Sequence, residues 1–173
     1  MSAHRRARTK STPKTRDPQP LRLVIDASVG VKLFLREALS DRAEALFAHL
    51  ASDPPAQLYV PDLFFVECAN ILWKYVRRFG YPIDHASQDV LDLQRLKLRS
   101  VSTAELVTDA LHIGLEHSLT AYDASYVALA QRLRVPLITA DERLAQALHG
   151  TPYDVHWLGD YSVPPASGSL AAS

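Results

Sequence analysis

From residue 21 to about residue 160, short β-branched apolar runs alternate with longer stretches of helical period. That alternation limits the possible folds more than any other feature of the chain. Consecutive parallel strands need a crossover of a dozen or more residues, usually a helix, whereas antiparallel strands are joined by tight turns. Strands are expected at residues 21–25, 57–60, 98–101, 136–139 and 155–158, each short and apolar enough to be covered on both faces. Helices are expected at 28–37, 41–50, 61–79, 84–96, 103–117, 120–132 and 141–148. Asp41 with Glu44, Ser102 with Glu105, and Thr120 with Asp123 have the spacing of capping pairs, and Gly80 followed by Pro82 ends the longest helix. The pattern predicts an α/β domain with a central parallel sheet of about five short strands.

At 173 residues and 47% hydrophobic content, the chain suits one domain with a sizeable core. The division expected is a disordered basic extension at 1–20, a folded domain at 21–162 and a flexible tail at 163–173. Cys68, the only cysteine, has no internal disulfide partner and no zinc-ligand spacing around it, which suits a reducing cytoplasm. No apolar run is long enough to span a bilayer, and the amino terminus lacks the apolar core of a secretory signal. The net charge of zero hides an asymmetry. Residues 1–20 carry Arg5, Arg6, Arg8, Lys10, Lys14 and Arg16 against Asp17 alone, so the rest of the chain is net acidic. An acidic body is unusual for a binder of polyanions unless its carboxylates are concentrated where cations sit.

In an open parallel sheet, ligands collect beyond the carboxyl ends of the strands. Asp26 follows the first expected strand in VIDASV, and Asp141 follows the fourth in LITADERL. Each could equally cap the helix after it. Glu67 is harder to explain by capping, because its helical neighbours Leu63, Phe64 and Ile71 are all apolar. A carboxylate on such a face needs a cation, a donor network or a raised pKa, unless it sits at the edge of the stripe and snorkels or pairs with an arginine. Asn70 repeats the anomaly one turn on. Asp123 has the capping pair with Thr120 as its structural reading, while Tyr126, one turn further, would bring a phenol to the same face. Four carboxylates in one crevice would repel, by about 4 kcal/mol for a pair ~4 Å apart at an effective dielectric of about 20. A divalent cation removes the conflict, and oxygen-only ligands favour Mg²⁺ or Mn²⁺ over zinc. Such a site suits phosphoryl chemistry.

VIDASV, PDLFFVECANIL, LTAYDASYVALA and LITADERLAQAL, in that order and at these intervals, resemble the successive motifs of PIN-domain nucleases, most closely the VapC-like toxin branch. The resemblance runs from about residue 21 to residue 161 and leaves out both ends. It implies a three-layer α/β/α domain and RNA hydrolysis that leaves a 5'-phosphate and a 3'-hydroxyl. It also implies Mg²⁺, with Mn²⁺ as a substitute, held by Asp26, Glu67, Asp123 and Asp141 as catalytic residues. Ser28, Asn70 and Thr139 fall where hydrogen-bond partners would orient those carboxylates. The branch further implies a cognate antitoxin protein and a homodimer. The aromatic stretch Phe64, Phe65, Trp73, Tyr75 and Phe79 is mostly explained by core packing.

Lys74, Arg77 and Arg78, and separately Arg95, Lys97 and Arg99, are candidate phosphate contacts, although cations near helix carboxyl ends need no ligand. The histidines are scattered without ligand spacing. Two rival readings remain: a catalytically silent PIN domain that binds RNA or protein, and a signalling receiver domain. The receiver would need an adjacent acidic pair after the first strand, where this chain has Asp26, Ala27 and Ser28.

Overall fold

The computed structural model describes residues 20–164. Strands β1 (Arg22–Ile25), β2 (Gln57–Pro61), β3 (Arg99–Val101), β4 (Leu137–Thr139) and β5 (Val155–Trp157) form one sheet in the order β3-β2-β1-β4-β5, every pairing parallel. Helices α1 (Ala27–Gly30), α2 (Ser40–Ser52), α3 (Leu63–Phe79), α4 (Ile83–Arg95), α5 (Val107–His117), α6 (Ala121–Leu133) and α7 (Glu142–Ala147) make the crossovers and cover the sheet in a three-layer α/β/α arrangement. Helix α6 lies across β1, β2 and β4 with α5 packed on it, and α3 packs against α1 and α4. The basic extension lies outside the described residues except for Pro20, and the tail except for Val163 and Pro164; Val163 packs against the core. Among the described residues, no helix is long and apolar enough to cross a membrane.

The three inner strands are covered as expected: Val24, Ile25, Leu58, Val60, Leu137 and Ile138 are fully buried. The edge strands β3 and β5 are not, because each has a neighbour on one side only. Chain order reverses between β1 and β4, the place where crossovers leave in opposite directions and open a crevice at the strands' carboxyl ends.

Local chemistry corrects several helix boundaries. The helix expected at 28–37 is only α1 followed by a 3-10 turn, Val31–Leu33. Ser40 competes with the helical ladder there, donating its hydroxyl to the Leu35 carbonyl at 2.9 Å and accepting the Glu37 N–H at 3.0 Å. Ser40 starts α2 behind a left-handed Leu39, so Asp41 and Glu44 form no capping pair. Pro61 ends β2 instead of opening α3. Glu105 does not cap with Ser102; it pairs with Arg132 on α6 at 2.8 Å, and a 3-10 turn, Thr103–Glu105, precedes α5. The Thr120–Asp123 capping pair does form, and Gly80 ends α3 in the left-handed conformation.

Gly30 is where α1 meets α3. A Cβ built there would lie 2.5 Å from Cζ of Phe64, which is itself fully buried. Overpacking of this kind typically costs about 1–3 kcal/mol. Gly30→Ala is expected to lose about that much in chemical denaturation, and an unchanged midpoint would mean that the Phe64 ring moves aside freely.

Candidate active site

Asp26 occupies the crevice because the backbone leaves it no other place. Its N–H donates to the Ile138 carbonyl of β4 at 3.0 Å, and its own carbonyl accepts the Val29 and Gly30 N–H groups that open α1. The side chain is 7% exposed. Its Oδ2 accepts hydrogen bonds from Ser28 Oγ at 2.7 Å and Thr139 Oγ1 at 2.6 Å. Burial raises its pKa above the usual carboxylate range; the Thr139 and Ser28 hydroxyls oppose that shift, and the charge of Asp123 adds to it. Its strongest partners are the two hydroxyls, and the Ser28 backbone, at the second position of α1, contributes only the smallest of the effects on its pKa.

Asp141 differs. It is exposed, and its Oδ1 accepts the Arg143 N–H at 2.9 Å as the N-cap of α7. It is tied to Asp26 through hydroxyls. The Asp141 N–H donates to Thr139 Oγ1 at 3.0 Å, and the Ala140 N–H donates to Ser28 Oγ at 2.9 Å. Ser28 and Thr139 therefore join the Asp26 carboxylate to the loop that carries Asp141.

Glu67 is half-buried on α3, and its Oε2 accepts a 2.5 Å hydrogen bond from the Tyr126 hydroxyl of α6. This bond takes the place of the arginine pairing considered from sequence. Burial, with the charges of Asp26 and Asp123 behind it, pushes Glu67 up to about 7 against the lowering effect of Tyr126. The Tyr126 side chain is fully buried, and its pKa is raised by burial and by the charges of Asp26 and Glu67. The sequence placed this phenol beside Asp123; its bonded carboxylate is Glu67 instead. Asp123 accepts the Thr120 hydroxyl at 2.7 Å. Asn70 is exposed, so it does not share the setting of Glu67.

Asp26 and Glu67 thus feel the charge of Asp123, and Glu67 that of Asp26 as well, while Asp141 is joined to Asp26 through Thr139. Among the described residues, no three His, Cys, Asp or Glu side chains converge closely enough to form a metal-holding group.

Beside the acids lies a cleft of about 480 Å³ lined by Ser28 and Asp141 together with Lys32, Glu37, Tyr75 and Arg143. Lys32 is nearly buried and pairs with Glu37 at 2.9 Å, and the Tyr75 hydroxyl donates to the same carboxylate. Sequence reasoning missed this cluster. A lone lysine inside the apolar run VGVKLFL was its one visible signal.

The basic groups that the sequence offered as phosphate contacts fall elsewhere. Lys97 and Arg99 line a cleft with Ala56 at the amino ends of β2 and β3, the pole opposite Asp26. Arg95 pairs with Asp92 at 2.8 Å. Arg78 lies about 16 Å beyond Glu67 along the axis of α3.

Fold and site together define a doubly wound α/β/α protein with an acidic crevice at its switch point. The chain belongs to the PIN domain family, whose profile matches residues 23–148. It is 38% identical over 128 residues to Ribonuclease VapC3 of Pyrobaculum aerophilum, covering 73% of this chain and 94% of that protein. It is 30% identical over 128 residues to Ribonuclease VapC3 of Mycobacterium tuberculosis, covering 74% of this chain and 88% of that protein. In fold it is similar to PAE2754 from Pyrobaculum aerophilum, with a TM-score of 0.57, 22% identity and coverage of 82% of this chain and 93% of the other. It is also similar to a chain of a toxin-antitoxin complex from Klebsiella pneumoniae, with a TM-score of 0.55, 18% identity and coverage of 82% and 99%.

Proposed function

We propose that this chain is a metal-dependent endoribonuclease and the toxin of a type II toxin-antitoxin pair. The observation that carries this reading is a buried carboxylate, Asp26, held by the Ser28 and Thr139 hydroxyls in a crevice where the charge of Asp123 opposes its own and where its charge in turn opposes that of Glu67. Mutual repulsion of this kind serves no purpose in a purely structural site, and a hard cation relieves it. The donor set fits Mg²⁺ or Mn²⁺: Asp26, Glu67, Asp123 and Asp141 offer oxygen alone. A cation bound there supplies the positive charge that polarises a phosphodiester and eases ionisation of water. Ser28 and Thr139 orient Asp26 for that task. Tyr126 donates a hydrogen bond to one oxygen of Glu67 and so orients that carboxylate. The relatives named as ribonucleases support RNA as the substrate.

The test is incubation of RNA with the purified chain in Mg²⁺, Mn²⁺ or EDTA. Cleavage is expected in either metal and not in EDTA; cleavage that survives EDTA would sink the mechanism. A silent, RNA-binding PIN domain is the second reading, favoured by the lack of a converged metal-holding group among the described residues. RNA binding with no cleavage in either metal would decide for it.

An antitoxin protein and a second copy of the chain are the partners proposed, in the cytoplasm where RNA is available. Val107, Leu111 and Leu115, at 53%, 53% and 74% exposure, form an apolar stripe on α5, and Trp73 and Phe79 on α3 are exposed as well. These faces suit a protein partner.

A further inference from the structure

We infer that the cleft between α7 and β5 is a nucleobase subsite, with Trp157 as its stacking platform and a preference for bases that carry an exocyclic amino group. The inference rests on the ribonuclease reading, since it places a base of the same RNA strand next to the acidic crevice. The cleft measures about 450 Å³ and is lined by Glu142, Gln146, His149, Val155, Trp157 and Asp160. Glu142 also lines the cleft that holds Ser28 and Asp141, so the two spaces adjoin. Trp157 ends β5 and stands in register with Thr139 of β4, whose hydroxyl bonds Asp26. A strand crossing the acids would therefore meet Trp157 one β-strand further on.

The indole is held in place. A Cβ on Gly159 would fall 2.2 Å from its Cζ3 and 2.3 Å from its Cη2, so the ring rests directly on glycine backbone. The Asp160 and Tyr161 N–H groups both donate to the Trp157 carbonyl at 3.1 Å, and the Leu158 N–H donates to the Thr139 carbonyl at 2.7 Å. Those bonds fix the backbone that carries the indole and the Gly159 contact backs its six-membered ring, so stacking costs little entropy; base–aromatic stacking is how single-stranded RNA is commonly gripped.

Charge selects the occupant. Glu142 and Asp160 face this cleft with His149 as the one basic side chain, whereas Lys32 and Arg143 line the neighbouring cleft. Phosphate is repelled from the first; in the second, Arg143 stands among Asp141, Glu142 and a Lys32 already paired with Glu37, so the base cleft is the one without a lysine or arginine in its lining. Carboxylates only accept hydrogen bonds, so they reward the exocyclic amino groups of cytosine, adenine or guanine, whereas uracil has no amino group and offers its ring N3–H alone.

The chain has two tryptophans, so Trp73→Phe leaves Trp157 as the sole indole fluorophore. In an Asp26→Asn background with Mg²⁺, end-labelled single-stranded 12-mers of oligo(C), oligo(A) and oligo(U) are titrated, following label anisotropy and indole emission together. Quenching by oligo(C) and oligo(A) is expected to track the rise in anisotropy, with oligo(U) weaker in both. Trp157→Ala, checked for folding by circular dichroism, is expected to weaken oligo(C) binding about tenfold. Binding without quenching, or equal behaviour of oligo(U) and oligo(C), overturns the subsite even if the wild-type chain cleaves RNA. Quenching with no metal-dependent cleavage by the wild-type chain would instead keep the subsite and remove the nuclease. Failure of all three oligonucleotides to bind overturns the subsite as well.

Discussion

Asp26→Asn is expected to reduce RNA cleavage by at least about a hundredfold and, in metal-free buffer at neutral pH, to raise the melting temperature. The two effects have one origin. Asp26 is 7% exposed, and burial outweighs its hydrogen bonds, so its charge is held against a desolvation cost and against the charge of Asp123. An asparagine keeps the shape and removes the charge. Its carbonyl can still accept one of the two hydroxyls from Ser28 and Thr139, while the other can turn to accept from the amide. The net gain is on the order of 1 kcal/mol, as expected where an active site is kept at the expense of stability. Cleavage rates and thermal melting in EDTA check the two halves separately. A variant that is inactive but melts lower would mean that the hydroxyl pair stabilises the carboxylate more than burial penalises it.

How much of this was legible in the sequence depends on which kind of information each residue used. The strands β1, β2 and β4 could be read because runs such as LRLVI and PLIT have few alternatives once both faces are covered. Glu67 could be singled out because Leu63, Phe64 and Ile71 sit one helical turn to either side, a purely local pattern. Its partner could not. Tyr126 is 59 positions away, and helical spacing pointed its phenol to Asp123, its neighbour in sequence. The Lys32, Glu37 and Tyr75 cluster failed for the same reason, since Tyr75 reaches Glu37 from another helix, 38 positions on. Capping pairs illustrate the limit from the other side. Thr120 with Asp123 formed, whereas Asp41 with Glu44 was forestalled by Ser40, and Ser102 with Glu105 by Arg132 on α6. Local rules hold until a tertiary partner offers the same group a better bond.

Metal-free protein is expected to become less stable as pH rises from about 4.5 to about 7, the reverse of ordinary acid denaturation. Glu67 moves from an ordinary 4.5 to about 7 in the fold, chiefly through burial. Below pH 4.5 folded and unfolded chains both hold this proton, and stability is at its full value. Between the two pKa values only the folded chain keeps it, so each step upward in pH favours unfolding, and the loss is complete once pH passes the folded pKa. Because Glu67 is only half-buried, solvent screening cuts the effect to on the order of 1–2 kcal/mol. Divalent cations should reverse the trend, since carboxylates bind them only after losing their protons. Added Mg²⁺ is therefore expected to leave the melting temperature nearly unchanged at pH 5 and to raise it by several degrees at pH 7.5. Melting curves across that range, with and without Mg²⁺, give the comparison, and Glu67→Gln should flatten the metal-free curve. Tyr126→Phe should move its midpoint upward, because the phenol is what holds the Glu67 pKa down. A metal-free melting temperature indifferent to pH would show that Glu67 is not held protonated in the fold near neutral pH, and would weaken the case for a cation there.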